Sequence, residues 1–185
     1  MEKVILVDHM RKLDSLTIET GTPSKELMYR AAMGVYSSYK WYGEIAIFCG
    51  SGNNAGDGYA LALILHNNGY NPHIILTSNK FSSDGLYYYK KCEELNIPMM
   101  IISNDLKEYD IYVDALLGTG FKGEPRGLIL DAINYLNNVK DLKKLTMICV
   151  LYETGARVSE FINIKLSDLN LSDNGITSIK GLELF

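Results

Sequence analysis

The fold is decided by residues 45–58, which have the sequence IAIFCGSGNNAGDG. The first five residues are apolar and are stopped by Gly50, so they predict a short buried strand. The glycine-rich segment 50–58 predicts a turn, and a helical stripe of apolar residues follows it and ends at Gly69. A helix that begins after such a turn offers free N–H groups, which favour an anion such as phosphate.

Strands and helices alternate on both sides of this unit. The pair Thr22-Pro23 predicts the start of an opening helix, with Thr22 as the N-cap and Pro23 as the first helical residue. Further elements are predicted as strands at 73–77, 99–102 and 111–117 and as helices at 83–95 and 125–136. Strands that alternate with helices imply βαβ units with ligands at the carboxyl ends of the strands. We therefore predict an α/β fold, a Rossmann-like three-layer sandwich with a mostly parallel sheet.

The sequence pattern changes after Asn138, where we place a domain boundary between 1–138 and 139–185. Apolar residues within 145–152 recur at i, i+3, i+4 and i+7 and predict an amphipathic helix. A second short helix is predicted at 158–165 and a hairpin around Asn174-Gly175. The expected C-terminal segment is therefore short and mainly helical.

Composition excludes several classes of protein. The chain has 185 residues, of which 47% are hydrophobic and 22% charged, which excludes disorder along its whole length. A net charge of −4 gives no general basic field for nucleic acid. The three cysteines lie far apart among apolar residues, which favours buried thiols over disulfides or a zinc site. With no secretory signal and no apolar run long enough to span a membrane, we predict a cytoplasmic protein without membrane contact.

The glycine loop departs from the standard dinucleotide motif. Gly56 comes one residue too late for G-x-G-x-x-G, and no Walker lysine follows. The second strand ends in Thr77-Ser78-Asn79-Lys80, where a dehydrogenase would place an acid for the ribose. On loop chemistry alone, a structural turn with incidental polar residues remains an alternative to a phosphate site.

Two motifs resemble those of a known family. The loop GSGNNAGDG at 50–58 resembles the G-x-G-N-N-G-G-D-G signature of the NAD(P)H-hydrate epimerases, the YjeF N-terminal domain family. The segment VDALLGTG at 113–120 resembles the second motif of that family, and residues 13–31 resemble its opening helices. The resemblance covers residues 1–137. Ala55 stands where glycine is usual, and we expect the loop to tolerate this change.

The resemblance implies an enzyme of nicotinamide nucleotide repair, which interconverts the C6 epimers of hydrated NADH or NADPH. It implies a potassium ion bound by Asn54 and Asp114, although Asp114 could instead serve only as a strand-end cap. The candidates for the catalytic acid are Asp57 and Asp114. The substrate-binding residues that it implies are Asn53, Asn54, Ala55, Gly56, Asp57, Gly118, Thr119, Gly120, Phe121, Lys122, Gly123 and Glu124.

The chain also departs from this family. Family members continue into a strand that ends in an Asp-Ile-Pro-Ser-Gly type segment, which supplies a further substrate-binding aspartate and a potassium ligand. This sequence has no such segment, so the resemblance implies an incomplete domain with impaired activity. Residues 141–180 resemble instead a fragment of a tyrosine recombinase catalytic domain, in which Arg157 would bind a phosphate. The other catalytic groups of a recombinase are missing, so DNA is not an expected partner.

Three hypotheses therefore stand at the level of sequence. The first is an epimerase of hydrated NADH and NADPH, active or degenerate. The second is a non-catalytic nucleotide-binding or scaffold protein with the same fold, and the third is a recombinase-derived DNA-binding fragment. A homodimer is left open.

Overall fold

The structure is a computed structural model, which describes residues 12, 15–103, 105–118, 121–139, 169–172 and 175–179. Residues 15–19 are helical. The elements that follow are α1 (Ser24–Ser38), β1 (Glu44–Cys49), α2 (Asn53–Asn67), β2 (Asn71–Leu76), α3 (Ser83–Glu94), β3 (Met99–Ile101), β4 (Ile111–Ala115) and α4 (Leu128–Asn137). Strands β5 (Leu169–Ser172) and β6 (Gly175–Ile179) form an antiparallel pair, in agreement with the predicted hairpin.

The main sheet has four parallel strands in the order β3-β2-β1-β4. The chain moves outward from β1 through β2 to β3 and then returns to place β4 on the other side of β1. The strand order therefore reverses between β1 and β4. In open α/β sheets, ligands bind outside the carboxyl ends of the strands at such a switch point.

Apolar layers cover both faces of this sheet, so the predicted α/β sandwich is confirmed. On one face, Ile45 and Ile47 of β1 pack with buried residues of α1, α2 and α3. On the other face, Phe48 packs with Ala132 and Leu136 of α4. Strand β1 is almost completely buried because it is covered on both faces, as its continuous apolar sequence predicts.

The predicted helix starts need correction at two places. Pro23 occupies the N-cap of α1 with an extended ψ of 141°, so Thr22 lies outside the helix and supplies no cap hydrogen bond. Helix α2 begins at Asn53, inside the segment 50–58 that was expected to be a turn. Glycines at helical positions led to the second error, because glycine lowers helix propensity and is taken as a turn signal.

The other boundaries differ from expectation by a few residues. Strand β4 ends at Ala115, two residues before the predicted end, and α4 begins at Leu128, after Gly127 with a φ of +59°. The predicted helices at 145–152 and 158–165 lie outside the described residues. Cys49 and Cys92 are buried free thiols, as expected. No helix in the described part of the chain is long and apolar enough to cross a membrane.

Candidate functional site

The site begins where β1 and β4 end side by side. Gly50 donates its N–H to the carbonyl of Ala115 at 3.1 Å, which extends the pairing of the two strands by one residue. A Cβ atom on Gly50 would lie 2.0 Å from the Leu116 carbonyl oxygen. Only glycine therefore allows the loop after β1 to approach the loop after β4 this closely.

Asn54 connects the first turn of α2 to the loop after β4. Its Nδ2 donates to the carbonyl oxygen of Leu117 at 3.0 Å. Next to it, a Cβ atom on Gly118 would lie 3.4 Å from the Cβ of Asn54, so the first turn of α2 contacts the loop after β4 at this point. Because the Asn54 amide donates through its nitrogen, its Oδ1 remains available as an acceptor or a cation ligand.

Asp114 lies on β4 opposite Phe48 of β1 and is only partly exposed. Its Oδ1 accepts the N–H of Leu116 at 2.8 Å, so the strand-end cap considered from sequence is present. Burial raises the pKa of Asp114 above its usual value, and this hydrogen bond opposes the effect. No basic side chain among the described residues contributes to that pKa, so a cation could serve as a charged partner of the carboxylate.

The N-terminus of α2 faces open space next to these groups. Gly52 is the N-cap, with φ −96° and ψ −164°, and no side chain caps the helix. Ser51, Gly52 and Asn53 are exposed, and a Cβ atom on Gly52 would have no neighbour within 4 Å. The first N–H groups of the helix could therefore donate hydrogen bonds to an anionic ligand.

The remaining glycines of the motif are packing positions. A Cβ atom on Gly58 would lie 2.8 Å from the Cβ of Ala115, and one on Gly56 would lie 2.6 Å from the side chain of Met28. These glycines let α2 lie close to the sheet and to α1. Ala55 is buried at 2% exposure and has no positive φ, which is why alanine fits where the family usually has glycine.

The predicted substrate residues therefore fall into two environments. Asn53 is exposed and Asn54 and Asp57 are partly exposed, whereas Ala55 and Gly56 are buried against neighbouring elements. In the loop after β4, Gly118 and residues 121–124 are exposed. The N–H of Phe121 donates to the Gly118 carbonyl at 3.0 Å, which folds this loop back on itself. Thr119 and Gly120 lie outside the described residues.

One group at the site was missed by sequence reasoning. The Leu117 carbonyl receives the Asn54 side chain, but every residue has a carbonyl group, so no residue type could reveal it. At the end of β2, the sequence showed only that residues 77–80 lack the acid that a dehydrogenase would place there. In the structure, Thr77 is buried there and its Oγ1 donates to the Cys49 carbonyl at 3.1 Å.

A parallel sheet with a glycine turn and an open helix N-terminus at its switch point defines a nucleotide-binding type of α/β domain. Comparison with known families makes the assignment specific, because the family described as YjeF-related protein N-terminus matches residues 24–150. The NAD(P)H-hydrate epimerase of Limosilactobacillus reuteri (strain ATCC 55730 / SD2112) is 35% identical over 145 residues, covering 74% of this chain and 68% of that enzyme. The chain belongs to the YjeF N-terminal family.

Two further matches show how far this similarity extends. The bifunctional NAD(P)H-hydrate repair enzyme Nnr of Coxiella burnetii is 33% identical over 135 residues, which cover 68% of this chain but 28% of that enzyme. The crystal structure of yeast ynu0 has a TM-score of 0.64 at 21% identity, covers 80% of this chain and 68% of that one, and supports the fold.

The family match also reaches past the predicted boundary at residue 138. None of these matches supports the resemblance of residues 141–180 to a recombinase, which stays a prediction. The division into 1–138 and 139–185 likewise remains a prediction.

Proposed function

We propose that this chain epimerises the C6 hydrates of NADH and NADPH. The observation that supports the proposal most strongly is the hydrogen bond of Asn54 to Leu117, since it joins the helix N-terminus and the loop after β4 into one surface beside Asp114. Two relatives that match this chain in sequence are named NAD(P)H-hydrate epimerase. The substrate's pyrophosphate would bind at the N-terminus of α2, with its nicotinamide end near Asp114.

The proposed reaction breaks and re-forms one C–O bond. An acid donates a proton to the C6 hydroxyl, which leaves as water while the electron pair of the ring nitrogen forms a planar cation. Water then adds to either face of the cation and returns its proton to the conjugate base. Asp57 and Asp114 are the candidate acids. We assign this role to Asp57 in the first turns of α2, because a cation ligand at Asp114 would have to be ionised.

We infer that Asn54 and Asp114 would hold a potassium ion. No group of three or more His, Cys, Asp and Glu side chains suitable for a metal occurs in the described part of the chain. A hard cation, however, takes amide and carbonyl oxygens together with carboxylates. Asn54 could supply an amide oxygen and Asp114 a carboxylate oxygen. When bound, potassium would supply a positive charge that the partly buried Asp114 does not receive from the described part of the chain.

The decisive experiment is an epimerase assay of the purified chain with hydrated NADH, in which the two epimers are separated by chromatography. We expect interconversion, at a rate below that of a family member that has the Asp-Ile-Pro-Ser-Gly segment. The Asp57→Asn variant should lose turnover by orders of magnitude, because it removes the proposed proton donor. Lys40→Ala, an exposed change between α1 and β1, is the control.

Two other outcomes would change the assignment. Nucleotide binding without turnover would favour the non-catalytic alternative, and absence of both would count against the site as a whole. Assembly as a homodimer, a cytoplasmic location and the lack of a DNA partner stay predictions. Of these, dimerisation can be measured by analytical ultracentrifugation of the same preparation.

A further inference from the structure

The carboxyl ends of three strands form one continuous rim. Cys49 of β1 lies opposite Ala115 of β4 on one side and Leu76 of β2 on the other. The segment after β2 therefore begins one strand spacing, about 4.8 Å, from the glycine loop after β1. A dinucleotide whose phosphates bind at the N-terminus of α2 and whose nicotinamide lies toward β4 would extend its adenosine half over the end of β2.

The segment after β2 is fixed at its start. The backbone N–H and Oγ1 of Thr77 both donate to the Cys49 carbonyl, each at 3.1 Å. One residue further, the Ser78 hydroxyl accepts the N–H of Lys80 at 3.0 Å, which closes a tight turn. Two hydrogen-bonded anchors thus set the path of the chain toward Asn79 and Lys80.

The charge of this turn is the informative feature. Residues 77–83 have the sequence TSNKFSS, which contains no acid and one base, Lys80. Asn79 and Lys80 are both exposed at the rim. In dinucleotide-binding folds, an acid at the end of the second strand accepts hydrogen bonds from the ribose hydroxyls, and a basic residue there accommodates a 2′-phosphate. An acid would repel the phosphate, and here it is absent.

We propose that Lys80, at the turn after β2, binds the 2′-phosphate of the substrate's adenosine, so that the chain prefers the hydrate derived from NADPH. Ser78 and Asn79 would supply neutral hydrogen bonds beside it. The inference rests on the proposed function, because it assumes that a nicotinamide dinucleotide occupies this rim. It goes further in naming the phosphorylated form and the residue that selects it.

Two fragments that lack the nicotinamide ring test this proposal without relying on turnover. Calorimetry should show that the wild-type chain binds 2′-phospho-ADP-ribose about tenfold more tightly than ADP-ribose, as one hydrogen bond between charged groups allows. Lys80→Ala should remove this difference by weakening only the phosphorylated fragment, and Lys80→Arg should retain it. Asn79→Asp should weaken binding of the phosphorylated fragment relative to wild type, since it adds a negative charge beside the phosphate.

The matched control is Lys40→Ala, which removes an exposed lysine between α1 and β1, near the start of the sheet strands. It should leave both affinities unchanged. Equal affinity of the wild-type chain for the two fragments, or a preference that survives in Lys80→Ala, would overturn the role of Lys80 while leaving the nucleotide site intact. Failure of both fragments to bind would overturn the proposed function together with this inference.

Discussion

Gly52 is the residue whose replacement tests the anion site most directly. It precedes α2 in an extended conformation, and a side chain there would enter empty space beside the free N–H groups. Gly52→Val should therefore still fold, at a cost of about 1 kcal/mol because valine is a poor N-cap, and lose nucleotide affinity. Calorimetry with ADP-ribose checks this, and Gly52→Ala should give an intermediate loss. Unchanged affinity in a folded Gly52→Val protein would show that the ligand binds elsewhere.

Asp114 tests the proposed cation. A ligand that binds only the folded state stabilises it, so potassium chloride should raise the melting temperature more than sodium chloride at equal ionic strength. Asp114→Asn keeps an oxygen that can accept the Leu116 N–H but removes the charge, so it should abolish the difference between the two salts. A difference that persists in this variant would place the cation away from Asp114.

At the scale of elements, α2 depends on close contact with the strands beneath it. Gly58→Ala should destabilise the fold by about 1–3 kcal/mol, because the new methyl group would meet the Ala115 Cβ at 2.8 Å and the Cys49 Sγ at 2.9 Å. Gly34→Ala in α1 is the matched control. Its methyl group meets nothing within 4 Å, so it should stabilise the helix by about 0.5–1 kcal/mol. Urea denaturation of both variants measures the two effects.

These same glycines explain which part of the fold could be predicted from sequence. The alternation of apolar strands and amphipathic helices predicted every strand of the parallel sheet within a few residues. The start of α2 could not be predicted from local propensity, because Gly56 and Gly58 disfavour a helix locally and are required by contacts with Met28 and Ala115. Tertiary packing, which no local pattern contains, decided that boundary.

At the scale of the whole molecule, the topology determines which predicted residues meet. Asn54 and Asp114 are sixty positions apart in the sequence, and β1 and β4 become neighbours only because the strand order reverses. The family resemblance pairs these two residues, and a parallel sheet favours their proximity, since Asp114 lies near the end of β4 and Asn54 lies in the first turn of the helix after β1. The contact of Asn54 with a backbone carbonyl required the structure.

The opposite end of the sheet contains a group of charged residues that sequence did not indicate. His73 of β2 is buried at 8% exposure, with its ring 5.3 Å from that of Tyr109. Its Nε2 lies 3.9 Å from the Glu44 carboxylate, which is paired with Lys107 at 2.6 Å. Burial, aided by the charge of Lys107, lowers the pKa of His73 below its ordinary value of 6.5, and Glu44 opposes this effect.

This lowered pKa predicts how stability depends on pH. Between the pKa of His73 in the folded chain and about 6.5, the unfolded chain binds more protons, so the free energy of unfolding should fall as the pH drops through this window. Urea denaturation at intervals from pH 7.5 to 5 measures the slope. His73→Leu should flatten it, because an apolar side chain of similar burial does not titrate, while the control His66→Gln should retain it. A slope that is unchanged in His73→Leu would assign the pH dependence to other groups.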